Sequence, residues 1–166
     1  LLLLAFNAIN FGYFFFVAVN IASAPRSGVQ YSIVGYATPS QLMLPAAGPP
    51  GSSGTNIMTV STLTYLDMQG VILPTGNFSN ARVIVCTITP PNTPPNVGQR
   101  ANCTPYGTGA ETLAVTRNFD PEAPDFVLHE VDVYFQPTPL IPMPGPLGLA
   151  ILPTKIHRQV SMRLMD

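Results

Sequence analysis

Apolar and polar positions divide this chain into two regimes. From Leu1 to Ala24, in LLLLAFNAINFGYFFFVAVNIASA, no residue is charged and apolar side chains occur on every turn. A run of this length matches the ~20 residues that cross ~30 Å of hydrocarbon. Asn7, Asn10 and Asn20 place amides in it. At about 100° per residue, Asn7 and Asn10 fall on one side of a helix and Asn20 well round from them. An unpartnered amide is costly in lipid, whereas polar side chains bond across helix–helix interfaces. The pattern therefore predicts a helix with helical neighbours. A lone anchor whose amides bond to its own backbone is the alternative. A cleaved signal peptide would carry a basic start, which this stretch lacks.

Pro25 and Arg26 follow, the latter being the first charge. Proline removes one backbone donor and crowds the preceding turn, which predicts a kink at Pro25 within a helix continuing to about Tyr36. Such a helix would project as a stem. TPSQLMLPAAGPPGSSGT, from Thr38, reads as a loop.

Beyond it the period changes to that of strands. NIMTVSTLTYL (56–66) is rich in threonine and β-branched residues, ARVIVCTIT (81–89) reads as a central strand, and ETLAVTRNF (111–119) is a weaker candidate. In FVLHEVDVYF (126–135), Val127, Val131, Val133 and Phe135 share a face, with Glu130 and Asp132 opposite. In TKIHRQVSMRL (154–164), Lys155, His157, Gln159, Ser161 and Arg163 point one way, and Ile156, Val160, Met162 and Leu164 the other. One wet face on each suits an antiparallel sheet, with acids and bases pairing across it. QPTPLIPMPGPLGLAILP, between these strands, is too proline-rich for helix or central strand and predicts an apolar contact loop. The layout is α+β: residues 1–36 form a long hydrophobic helix, and residues 37–166 a mostly antiparallel β-sheet domain with Pro/Gly-rich loops.

Composition sharpens the picture. Charged residues make up 9% and the net charge is −1, so there is no basic footprint for nucleic acid and the surface favours association. Two cysteines, Cys86 and Cys103, allow one pairing, which an exported chain favours. Two buried free thiols are the alternative.

Catalytic patterns are missing. His129 and His157 belong to no HExxH spacing, and neither a GxSxG elbow nor a GxxxxGK[ST] loop occurs. Asp120, Glu122, Asp125, His129 and Glu130 cluster within DPEAPDFVLHE, but their spacing matches no calcium loop and reads as a solvated acidic turn. NFS at 77–79 and NCT at 102–104 fit the short glycosylation sequon. No enzyme and no cofactor is expected.

Two stretches carry a resemblance. Ile9-Asn10-Phe11-Gly12 and Pro25-Arg26-Ser27-Gly28-Val29-Gln30-Tyr31 resemble the I-E-F-G turn and the A-R-x-G-x-x-Y pattern in the N-terminal helix of TadE/TadG-like pseudopilins of bacterial tight-adherence pilus systems. VDVYFQPTPLIPMPGPLGLAILPTKIHRQVSMRLMD is similar to that family's closing strand, P-x-T-P-L loop and last strand. Asn10 stands where the family usually has glutamate, and Pro25 interrupts its alanine-rich stretch. The family's A-x-x-E-F-A segment, which normally precedes the leucines, is not in this sequence. The resemblance implies a pilin-like subunit that sits in the inner membrane before assembly, engages the pilus assembly machinery, and then joins copies of itself in an extracellular filament. Its helix core would be built by Leu1, Leu4, Asn7, Asn10, Phe11, Tyr13, Phe14, Val17, Asn20 and Ile21. A membrane-anchored minor pseudopilin or assembly factor, or a tip adhesin, are the other roles implied.

Overall fold

The computed structural model describes residues 2–37, 58–68, 81–89, 100–107, 127–141 and 155–164. The fold is α+β, a long apolar N-terminal helix followed by a four-stranded antiparallel sheet. Helix α1 spans Leu2–Ala37 and α2 spans Val60–Asp67. The strands are β1 (Ala81–Thr89), β2 (Arg100–Tyr106), β3 (Val127–Phe135) and β4 (Ile156–Leu164). Their order is β2-β1-β3-β4, so the apolar run 81–89 occupies a central position, as its composition predicts.

Alternation on the strands decides the two faces. Val83 and Val85 of β1 lie beside Val133 and Val131 of β3, and Val131 lies beside Val160 of β4. These side chains meet Val17, Ile21, Ala24 and Val29 of α1, Val60 and Tyr65 of α2, and Met68, which caps its C-terminus, in one core. The two helices thus form a layer on one face of the sheet. Pro25 sits inside α1, where it leaves the Ile21 carbonyl without its usual donor. The helix continues through it because Ala24, Pro25, Gly28 and Val29 are all buried there, and packing outweighs the lost bond.

Two sequence expectations are corrected. The stretch 56–66 contains a helix, not a strand. Thr59 is extended (φ −89°, ψ 156°) and its Oγ1 accepts from the Thr62 N–H at 3.1 Å, so it caps α2. Thr64 Oγ1 donates to the Val60 carbonyl at 2.8 Å. The threonines that suggested a strand satisfy the helix's own backbone groups instead, and burial of Val60, Thr64 and Tyr65 overrides a weak propensity. The second correction concerns β3, whose outer face is not wet: Glu130 and Asp132 are 3% and 0% exposed. β3 is flanked by β1 and β4, and its outer face runs beside Cys86 on one side and a stacked His157 on the other. β4 is an edge strand, and its His157, Gln159, Ser161 and Arg163 are exposed, as is Lys155 just before it, as the alternation predicts.

Strand β2 has no clear pattern in the sequence. It pairs with β1 so that Cys103 lies directly opposite Cys86, with Cα atoms 4.1 Å apart, and the two form a disulfide. Pro105 is accommodated because β2 is an edge strand. The candidate strand 111–119 lies outside the described residues, as do Asp120, Glu122, Asp125 and the sequon at 77–79. Asn102 of the second sequon is in β2.

Candidate functional site

The residues that carry a functional reading are on α1, and their spacing sorts them into two groups. Asn10, Val17, Ile21, Ala24 and Gly28 follow one another at intervals of three, four and seven, so they form one stripe, and all are buried. Tyr13, Phe14 and Ala18 flank that stripe and pack partly against the core. On the remaining surface Leu4 is 76%, Phe11 62%, Phe15 64% and Val19 54% exposed, with Leu2, Leu3, Ile9 and Phe16 exposed beside them. The helix is apolar all round, yet the described residues cover only one side of it.

The three asparagines part company. Asn7 Nδ2 donates to the Leu3 carbonyl at 3.0 Å, and Asn20 Nδ2 to the Phe16 carbonyl at 2.8 Å. Both amides are therefore served by the helix's own backbone, one turn back. Asn10 instead reaches the segment after β3. Its Nδ2 donates to the Ile141 carbonyl and its Oδ1 accepts from the Ile141 N–H, each at 3.0 Å. Of the other helix positions named for assembly, Val17 and Ile21 are fully enclosed by this chain's own core, whereas Leu4 and Phe11 face outward. Leu1 lies outside the described residues.

Several organising contacts had little signal in the sequence. At Gly28 α1 comes close to both α2 and β3: a Cβ there would fall against Thr64 Oγ1 and 3.1 Å from Val131 Cγ1. Ser32 Oγ lies 2.7 Å from His129 Nδ1, tying α1 to β3. His129 faces the helix layer and Glu130 the opposite face, so they do not converge on one ligand. Only the spacing of Asn10 and Gly28 along the stripe, eighteen residues or five turns, hinted that both belong to one buried side.

Electrostatics add a modest outer-face cluster. His157 stacks on Tyr134, with ring centroids 4.2 Å apart, and its Nε2 is 3.7 Å from Asp132 Oδ1. Burial lowers the pKa of His157, with Arg158 acting in the same direction and Glu130 against it. Burial also lowers that of His129. Among the described residues, no group of three or more His, Cys, Asp or Glu side chains is placed to hold a metal ion.

α1 is long and apolar enough over Leu2–Val34 to cross a membrane, and only 11% of its most apolar window is buried. No family model, curated protein or solved structure matches the chain.

Proposed function

We propose that this chain is a structural subunit of a bacterial extracellular filament of the tight-adherence, type IV-like kind, assembled through its N-terminal helix. The supporting observation is the uncovered side of α1. Leu4, Phe11, Phe15, Phe16 and Val19 expose contiguous apolar surface on a helix whose other side is already committed to the chain's own sheet. Apolar surface on that scale marks an interaction site. Before assembly lipid covers it; afterwards the same surface of neighbouring copies does. A contact that joins unlike patches of identical subunits propagates as a helical filament. The sheet domain, fastened by Cys86–Cys103, forms the exterior.

A second reading, a membrane-anchored minor pseudopilin or assembly factor, draws support from Asn7 and Asn20. Each donates one amide N–H to the helix's own backbone, which lowers the need for helical neighbours. Shearing cells and separating extracellular fibres from membranes distinguishes the two. Fibres built from this chain, with α1 in their core, support the filament subunit; retention in the membrane fraction supports the anchor. Phe15→Asp and Val19→Asp, which leave the intramolecular core untouched, abolish fibres in the first case. Undiminished fibres in both variants overturn it.

A further inference from the structure

Three contacts fix the direction of α1 across the sheet: Ser32 meets His129, Gly28 approaches Val131, and Asn10 holds Ile141. Rising numbers on α1 therefore run against rising numbers on β3. From Gly28 back to Asn10 the helix covers about 27 Å, whereas Val131 to Phe135 covers only about 13 Å of strand. The sheet thus ends near the level of Asn20. The segment Gln136–Ile141 carries the chain the remaining distance of about 14 Å along the helix, close to the ~15 Å depth of one hydrocarbon leaflet.

That segment is fitted for such a place. It has no charge, Pro137 and Pro139 have no N–H to satisfy, and Leu140 is 59% exposed. At its tip, where water would otherwise serve the Ile141 N–H and carbonyl, the Asn10 amide serves both. Backbone groups inside a bilayer need such internal partners. The cations stand at the other end of the segment. Lys155, just ahead of β4, and Arg158 on it are exposed, and β4 is the edge strand against α1, its start beside the Phe135 end of β3. Cations at that level complement anionic lipid headgroups.

We infer that Gln136–Ile141 enters the membrane alongside α1, with Lys155 and Arg158 at the level of the lipid phosphates. The anchor then has two elements, joined by Asn10. This rests on the membrane stage of the proposed function and adds a lipid-contacting loop to it.

The chain has no tryptophan, so a single introduced one reports its surroundings. Full-length Leu4→Trp, Leu140→Trp and Ser161→Trp variants are reconstituted in phosphatidylcholine/phosphatidylglycerol vesicles with plain or brominated acyl chains. Bromine is expected to quench the first two and spare the third. Asn10→Leu, added to Leu140→Trp, restores its emission, while Leu4→Trp stays quenched. Lys155→Glu/Arg158→Glu removes the preference for phosphatidylglycerol over pure phosphatidylcholine vesicles. Quenching at position 4 without quenching at 140 overturns the loop's insertion and leaves the helix in the membrane. No quenching at position 4 removes the membrane stage itself, and the inference with it. A far-UV circular dichroism spectrum and a cooperative urea transition matching those of the parent chain verify folding of each variant.

Discussion

Gly28 of α1 and Thr64 of α2 meet so closely that a methyl group on Gly28 would press on Thr64 Oγ1, with Val131 Cγ1 behind it. Alanine at position 28 gains about 1 kcal/mol of helix propensity, but overpacking a core costs about 1–3 kcal/mol. Backbone-to-side-chain crowding on two sides makes the second effect larger. Gly28→Ala is therefore expected to lower stability by about 1 kcal/mol, read from denaturant midpoints. Thr64→Ser removes a methyl but leaves the crowding hydroxyl, so it gives little relief. Thr64→Ala removes the hydroxyl and should couple positively with Gly28→Ala in a double-mutant cycle. Simple additivity would show that the two residues do not clash.

His129 makes stability depend on pH. It is buried against Ser32, and burial holds its pKa below the ordinary 6.5, so the folded chain keeps the neutral ring. The unfolded chain binds the proton first as pH falls. The stability present above pH ~6.5 is lost progressively below it, until the folded form also protonates, at no more than about 1.4 kcal/mol per pH unit for one proton. His157 shifts in the same direction but is partly exposed, so its share is smaller. Thermal melts from pH 7.5 to pH 5 should show the decline, and His129→Gln should flatten it. An equal slope in the variant would assign the effect to other groups.

What could be read in the sequence, and what could not, follows the range of the interactions. The α1 run, the central position of 81–89 and the alternation of 156–164 are written in local periodicity, and each reappears in the fold. α2 is disguised in the sequence because threonine favours strands on average, while its value as a cap at Thr59 depends on where the chain turns. β2 was hidden by Pro105 and by a short pattern that makes sense only opposite β1. The asparagines were legible as a problem, since amides in an apolar helix need partners. Their solution was not: Asn10 finds Ile141 131 residues away, which no local pattern encodes.

The disulfide joins the edge strand β2 to β1 across 17 positions of sequence. In the chain-entropy picture, a closure of that length stabilises by about 3 kcal/mol. Titration of the unfolded, unreduced protein should find no free thiol. Cys86→Ala/Cys103→Ala should unfold at lower denaturant by that order, with β2 the first strand to exchange its amides. Unchanged protection of Thr104 and Tyr106 would show that β2 is held by strand pairing alone.

Tyr65 is the point where α2 locks onto the far end of the sheet. Its hydroxyl donates to the Ala81 carbonyl at 2.8 Å and lies 3.0 Å from the Tyr106 carbonyl, and its ring meets Tyr106 edge-on at 5.7 Å. Gly107 makes room for it: φ is +98°, and a Cβ there would collide with the Tyr65 hydroxyl and the Ala81 carbonyl. Burial raises the Tyr65 pKa, so the hydroxyl keeps its proton through the neutral range and acts as a donor. Tyr65→Phe keeps the ring but removes the one hydroxyl proton that the Ala81 and Tyr106 carbonyls share, at a cost of about 1–3 kcal/mol. Gly107→Ala adds backbone strain of about 1–2 kcal/mol to a steric collision, so it should be the more damaging change. Combining the two tests the shared cause. In a Tyr65→Phe background the hydroxyl is gone, and Gly107→Ala should cost less than it does alone. The Ala81 carbonyl and the positive φ remain, so part of the cost must persist. Full additivity, measured by urea denaturation, would mean that Gly107 is required for its backbone alone and not for the space it leaves to Tyr65.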